Sequence, residues 1–162
     1  MKREIIEKIN NPLNYVAFMI PRLNIFFGQP MKYGGWYPDY QTRLFKKEKL
    51  KYWFGRIHES AKVDGEVGIL DNNMIHLSHL SITKSFEKSV KWTRIESELM
   101  FQAGHPRITI FHLIKAALNE FFYRVFLKKG TREGSIGWLE GIIQAFNKFL
   151  VYKTFPTFGF LF

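Results

Sequence analysis

Apolar and polar positions follow two rhythms along this chain, and the change falls near residue 80. Before it, short apolar runs ("YVAFMI", "YQTRLF", "KYWFGRIH", "GEVGIL", "NMIHL") are cut by Gly, Pro, Asn and Asp, the punctuation of β-strands. Asp64-Gly65 in "VDGEVG" predicts a two-residue hairpin turn. From Ser81 the period becomes helical. The spacing predicts a helix over 82–101, with Ile82, Phe86, Val90, Ile95 and Leu99 on one face, stopped at "AGHP" by a flexible Gly104 and by Pro106. A second helix over 108–129 carries a broad apolar stripe from Ile110 to Phe126 and closes at Lys128, Lys129 and Gly130. A third, over 135–153, carries Ile136, Leu139, Ile142, Ile143, Phe146 and Leu150. Strands first and helices after predict an α+β fold, divided into a strand-rich part, 1–80, and a helical part, 81–162.

Composition narrows the partners. There is no cysteine, so disulfide frameworks and thiolate metal sites are excluded. A formal charge of +10 on 162 residues points to an anionic partner: nucleic acid, a phosphorylated substrate or an acidic membrane surface. The 17 Phe, 7 Tyr and 4 Trp exceed what a core of this size needs, which places some rings at a surface that is not simply water. The start "MKREIIEKINNPLNY" is charged and amphipathic, so no secretory signal is expected. No apolar run reaches about 18 uncharged residues, so no bilayer-spanning helix is expected. The tail "TFPTFGFLF" is aromatic and uncharged.

Candidate chemistry concentrates in "GGWYPDYQTRLFKK", residues 34 to 47. In an extended strand, Asp39, Gln41 and Arg43 share one face, and Tyr40, Thr42 and Leu44 the other. A carboxylate, an amide and a guanidinium in a row can hold a polyhydroxyl or phosphorylated ligand, and Arg suits a diphosphate because its fork bonds two oxygens. The plain alternative is a solvated strand face. His58 and Glu59 end a strand at its opening into a loop, where a Glu can act as general base towards a hydroxyl; a surface Glu beside a half-buried His is the competing reading. His76 and His79 in "MIHLSHLSI" are metal-ligand types without a carboxylate partner nearby, and structural roles compete there too. Arg43, Lys46, Lys47, Lys49, Lys51 and Arg56 interleave with Phe45, Tyr52, Trp53 and Phe54, a pattern suited to a nucleic-acid backbone or to anionic headgroups. The Phe-rich stripe of the second helix, bordered by Lys115, Arg124, Lys128 and Lys129, has the character of an interfacial helix, with packing on the sheet as the alternative.

The order of these motifs, "PRLNIFFG", "GGWYPDYQTRLFKK", "GRIHESAKVDGEVGIL", "MIHLSHLSI", "EKSVKWTRIES" and "FLKKGTREGSIGWLEGIIQAF", resembles the second half of bacterial family 2 glycosyltransferases, in the group related to lipopolysaccharide core biosynthesis. The resemblance runs from about Pro21 to Phe149 and is most specific between Gly35 and His76. It implies part of a GT-A-like fold and an inverting hexosyl- or heptosyl-type transferase. Such an enzyme uses a nucleotide-sugar donor and a divalent metal, Mg or Mn. It implies Glu59 as base; Trp36, Asp39, Gln41, Arg43 and His58 against the saccharide acceptor and the diphosphate; and His76 as a metal ligand. It also implies a cytoplasmic place at the inner face of the cytoplasmic membrane, where the acceptor is a saccharide or lipid-linked glycan and nucleic acid is not the partner. The family's nucleotide-binding half, with its D-x-D metal motif, would lie before residue 1, and these residues hold no D-x-D. Glu133 stands where the family has an Asp before glycine, and no role is assigned to it. The competing class is a non-catalytic, basic, aromatic-rich module on anionic membrane or nucleic acid.

Overall fold

The first long apolar run forms the strand on which the rest of the sheet is built. In the computed structural model, which describes residues 1–11, 14–57 and 59–156, strand β1 (Tyr15–Phe26) follows a short helix, α1 (Lys2–Asn10). On one side β1 pairs antiparallel with β2 (Gln29–Pro30) and β3 (Asp39–Phe45). On the other it pairs parallel with β6 (Glu66–Ile69) through Tyr15–Met19, then with β7 (Met74–His79) through Arg22–Phe26. The apolar run therefore does not stop at Ile20 but continues through Pro21. Proline lacks a ladder donor and is normally confined to sheet edges. Here it falls where the β6 pairing has ended and the β7 pairing has not begun, so the ladder on that side is already interrupted.

Asp64-Gly65 does not make the expected hairpin. β5 (Ser60–Val63) pairs with β4 (Leu50–Phe54) as a separate ribbon, whereas β6 joins β1 in the main sheet. The turn is an exchange between sheets. Gly65 takes φ +143°, and a Cβ there would stand 2.7 Å from Val16 Cγ1, so the tight approach to β1 selects glycine.

The helical part follows the predicted period closely: α2 (Ile82–Gln102), α3 (Ile110–Phe122) and α4 (Ser135–Lys153). Ser81 caps α2 by accepting from the Lys84 N–H, and Gly104, at φ +75°, follows its end. α3 runs into a π-helical turn, Tyr123–Leu127, and a 3-10 turn, Gly130–Glu133, with Lys129 between them at φ +57°. Among the described residues, seven strands and four α-helices give the α+β class expected. No described helix is long and apolar enough to cross a membrane.

Which helix faces are buried is a different matter. α2 turns Ser85, Ser89, Thr93 and Ser97 inward, while Ile82, Phe86 and Val90 are exposed. Small hydroxyl side chains let the α2 backbone come close to its neighbour, and two of them satisfy themselves on the preceding turn: Ser85 Oγ donates to the Ser81 carbonyl and Thr93 Oγ1 to that of Ser89. On α3 only Leu113 is fully buried, and Ile110, Phe111, Ile114, Leu118 and Phe122 remain exposed. Of the two readings of that stripe, packing on the sheet is not what the fold does with it. One cluster of the strand part joins Phe18, Ile20 and Leu70, with Ile5 of α1, Tyr15, Leu44 and Met74 against it, and Ala17, Phe26 and Met31 are buried besides. Ile108, Leu113, Val125, Ile143, Val151 and Phe155 are buried in the helical part, and polar contacts join the two parts.

Candidate functional site

One face of the sheet changes character along β1. Phe18 and Ile20 are core, Arg22 and Asn24 are polar, and Phe26 is aromatic and buried. The polar middle is the candidate site. In register, Arg22 lies opposite Asp39 of β3 and Met74 of β7, Ile20 opposite Gln41, and Asn24 opposite His76. Arg22 Nε donates to Asp39 Oδ2 at 2.8 Å, Gln41 Nε2 donates to Asp39 Oδ1 at 2.8 Å, and Asn24 Nδ2 donates to Asp39 Oδ2 at 3.3 Å and to the Trp36 carbonyl at 3.1 Å.

This pattern fixes a tautomer. Both Asn24 Nδ2 contacts go to oxygens, so its Oδ1 is the acceptor that faces His76 Nδ1 at 2.8 Å. His76 must donate from Nδ1, which leaves Nε2 with a free lone pair. Burial lowers the His76 pKa below its ordinary 6.5, helped by the charges of Arg22 and Lys88 and opposed by Asp39, so the ring is neutral at pH 7. For Asp39, burial raises the pKa, but hydrogen bonds from Gln41, Arg22 and Asn24 outweigh it and hold the carboxyl below its ordinary 3.8. What the network leaves unspent is an acceptor nitrogen on His76, the Gln41 carbonyl oxygen, and part of the Arg22 fork. Those groups suit neutral hydroxyls more than a bare metal ion.

The other expected residues are placed as follows. Arg43 leaves the row, because the pairing of β1 with β3 runs Met19–Thr42 and then Phe18–Leu44, skipping it. This β-bulge puts Leu44 on the same face as Gln41, contrary to plain alternation, and Leu44 packs on the core. The Arg43 guanidinium lies 5.9 Å from the Trp53 ring centre, and its place beside Asp39 is taken by Arg22. Trp36 is half-buried, with its ring between Phe26 at 4.7 Å and the Arg124 guanidinium at 4.6 Å. Glu59 is exposed at the start of β5 and makes no hydrogen bond or ion pair among the described residues. His58 lies outside the described residues, as does the aromatic tail from residue 157.

Sequence reasoning missed four residues that build the site: Arg22, Asn24, Glu133 and Glu140. Glu133, given no role, accepts from the Lys32 N–H at 2.7 Å, the Tyr33 N–H at 2.6 Å and Gln29 Nε2 at 2.9 Å. It clamps the loop that leads into Trp36, and Arg124 donates to the Gly34 carbonyl beside it at 3.1 Å. Glu140 of α4 is 1% exposed, with Oε2 3.0 Å from His79 Nδ1 and Oε1 accepting from Gln144 Nε2 at 2.7 Å. His79 in turn stacks on Phe26 at 4.3 Å. His79 is therefore a structural residue, tying β7 to α4. A lone acid in the apolar, glycine-flanked "GWLEGII" was the available signal for Glu140.

Around His76 the donor set does not make a cage for a divalent cation: one imidazole nitrogen stands beside an amide, and Asp39 is already filled on both oxygens. Among the described residues, no group of three or more His, Asp or Glu gathers as a metal site. A cavity of about 280 Å³ lies between α1 and the strands, and one of about 850 Å³ lies in the helical part. Neither is lined by Asp39, Arg43, Glu59 or His76. In the polar row Arg22 and Asp39 are about a quarter exposed and Asn24 is buried. No protein-family model matches this sequence, and no solved structure matches the chain.

Proposed function

We propose that this chain forms the acceptor-side wall of a family 2-like glycosyltransferase. The reaction moves a sugar from a nucleotide-sugar donor to a hydroxyl of a saccharide or lipid-linked acceptor in cell-envelope glycan synthesis. The observation that carries this reading is the braced row of Arg22, Asn24, Asp39, Gln41 and His76, in which each polar group is held by its neighbour before any ligand arrives. Preorganised acceptors beside an aromatic-lined loop suit a saccharide. Glu59, unheld by any described neighbour, takes the proton from the acceptor hydroxyl as that oxygen attacks the anomeric carbon. The nucleoside diphosphate leaves from the opposite face, and the configuration inverts. The exposed apolar stripe of α3 rests on the cytoplasmic surface of the membrane, where a lipid-linked acceptor is found.

Saccharide binding to the 162-residue chain tests the reading, by saturation-transfer NMR with neutral and phosphorylated hexose and heptose oligosaccharides. Transfer that falls severalfold in His76→Ala supports it. A panel that receives no saturation, or that ignores the substitution, overturns it. A second reading, a non-catalytic module on an anionic surface, is favoured by β4, whose Tyr52, Trp53 and Phe54 are all exposed beside Lys51. That reading predicts binding to single-stranded nucleic acid or anionic vesicles that falls steeply with salt and ignores saccharide.

A further inference from the structure

The larger cavity lies away from the polar row, where α3 and α4 meet the linker between α2 and α3. Its chemistry is lopsided. Arg107 of the linker, Lys115 of α3 and Lys148 of α4 supply cations, and the one carboxylate among the described residues of its wall, Glu120, already accepts from Arg124 Nε at 2.8 Å. Lys148 has a loose ion pair with Glu96 at 3.4 Å. His112 also lines it, with Nδ1 3.3 Å from the Thr109 N–H and 2.8 Å from the Thr109 hydroxyl. Ala116, Tyr123 and Leu127 give the same cavity an apolar side.

The cavity also borders the exposed stripe of α3. One step around the helix separates His112, Lys115 and Asn119, which line it, from Phe111, Ile114 and Leu118, which are exposed. Lys115 Nζ lies 6.0 Å from the Phe111 ring centre, on the boundary between the two surfaces. An apolar face that meets a hollow whose wall holds more cations than carboxylates is complementary to an anionic headgroup whose tails continue into a bilayer. We infer that this cavity receives the phosphomonoester headgroup of a membrane lipid. A phosphomonoester carries nearly two charges at pH 7, which the three cations of one cavity wall match better than the single charge of a diester. At about 850 Å³ the hollow holds a phosphate together with its glycerol or sugar carrier. The inference rests on the membrane-facing part of the function proposed above and not on its sugar chemistry.

The test is flotation of the full chain with phosphatidylcholine vesicles carrying either phosphatidic acid or phosphatidylglycerol, adjusted to equal surface charge. Tighter binding to the phosphatidic acid vesicles is expected, and Arg107→Gln or Lys115→Gln should remove that preference. Each cation lost near the surface should also weaken overall binding about fivefold. Lys62→Gln, on β5 outside the cavity, should keep the preference. Equal binding to the two lipids, or a preference that survives both cavity substitutions, overturns the headgroup site while leaving membrane docking intact. No binding to any vesicle overturns docking and the site together. Inorganic phosphate that competes as well as phosphatidic acid vesicles would make this a soluble-phosphate site and overturn the lipid assignment.

Discussion

Replacing Glu140 with Ala tests how the strand and helical parts are held together. The carboxylate is 1% exposed and receives His79 at 3.0 Å and Gln144 at 2.7 Å. Its removal leaves two donors without a partner, at about 1–3 kcal/mol each, and a small void. Both donors are near solvent and can partly relax, so the expected loss is about 3 kcal/mol. With a urea m-value of about 2 kcal/mol/M, the unfolding midpoint should fall by about 1.5 M at unchanged slope. Glu140→Gln keeps the volume and one acceptor, and should cost less than half as much. The pairing of His79→Phe with Glu140→Leu should recover most of the loss, since an apolar pair of similar volume replaces a buried polar one without orphans. A Glu140→Ala shift below about 0.5 M would refute the reasoning, because the buried acceptor would then carry no cost when removed.

Other outcomes follow from the same geometry. Glu133→Ala removes the acceptor of two successive backbone N–H groups and should cost about 2–4 kcal/mol, with faster amide exchange at Lys32 and Tyr33 as the local readout. Asp39 has its carboxyl held below the unfolded value, so its contribution is complete above the unfolded pKa and is lost as pH falls through the folded one. Wild-type stability should therefore drop below about pH 4 more steeply than that of Asp39→Asn, as urea titrations at stepped pH would show. Glu59→Gln should leave stability within about 0.5 kcal/mol, since the group is exposed and no described residue holds it. Under the proposed function, the same change should leave saccharide binding in place and abolish transfer; unchanged turnover would remove Glu59 as base.

Much of the architecture is legible in the periodicity. The ends of α2 and α4 fall within a residue of where the 3.6 spacing puts them, because capping signals such as Ser81 and stop signals such as Gly104 act locally. Burial was not legible in the same way. For α2 the largest side chains marked the wrong face: the contact is built on Ser85, Ser89 and Thr93, and a hydrophobicity pattern cannot detect a helix that gains by close backbone approach. The strand ladder failed at three points for one reason. Pro21, Asp64-Gly65 and Arg43 each obey their local rule in isolation, but the partner strands decide whether a proline is tolerated, a turn pairs its flanks, or a residue bulges. In the candidate site Gln41 bonds Asp39, and Asn24 joins Asp39, His76 and the Trp36 carbonyl, while Arg43 stands apart. Arg22 and Asn24 were hidden because "PRLNIFFG" reads as apolar, although a lone Asn between Leu23 and Ile25 is the kind of residue a core keeps only when it is hydrogen-bonded.

The clamp from Glu133 to Lys32 spans 101 positions, and that separation has a consequence for how the protein is made. A ribosome releases the chain from its amino end, at about 5–20 residues per second, so the loop entering Trp36 waits on the order of 5–20 seconds for its acceptor to emerge. During that interval the Lys32 and Tyr33 amides lack the carboxylate that receives them in the finished fold. Birth of this chain thus includes a window in which the loop entering Trp36 is finished in sequence and unfinished in space.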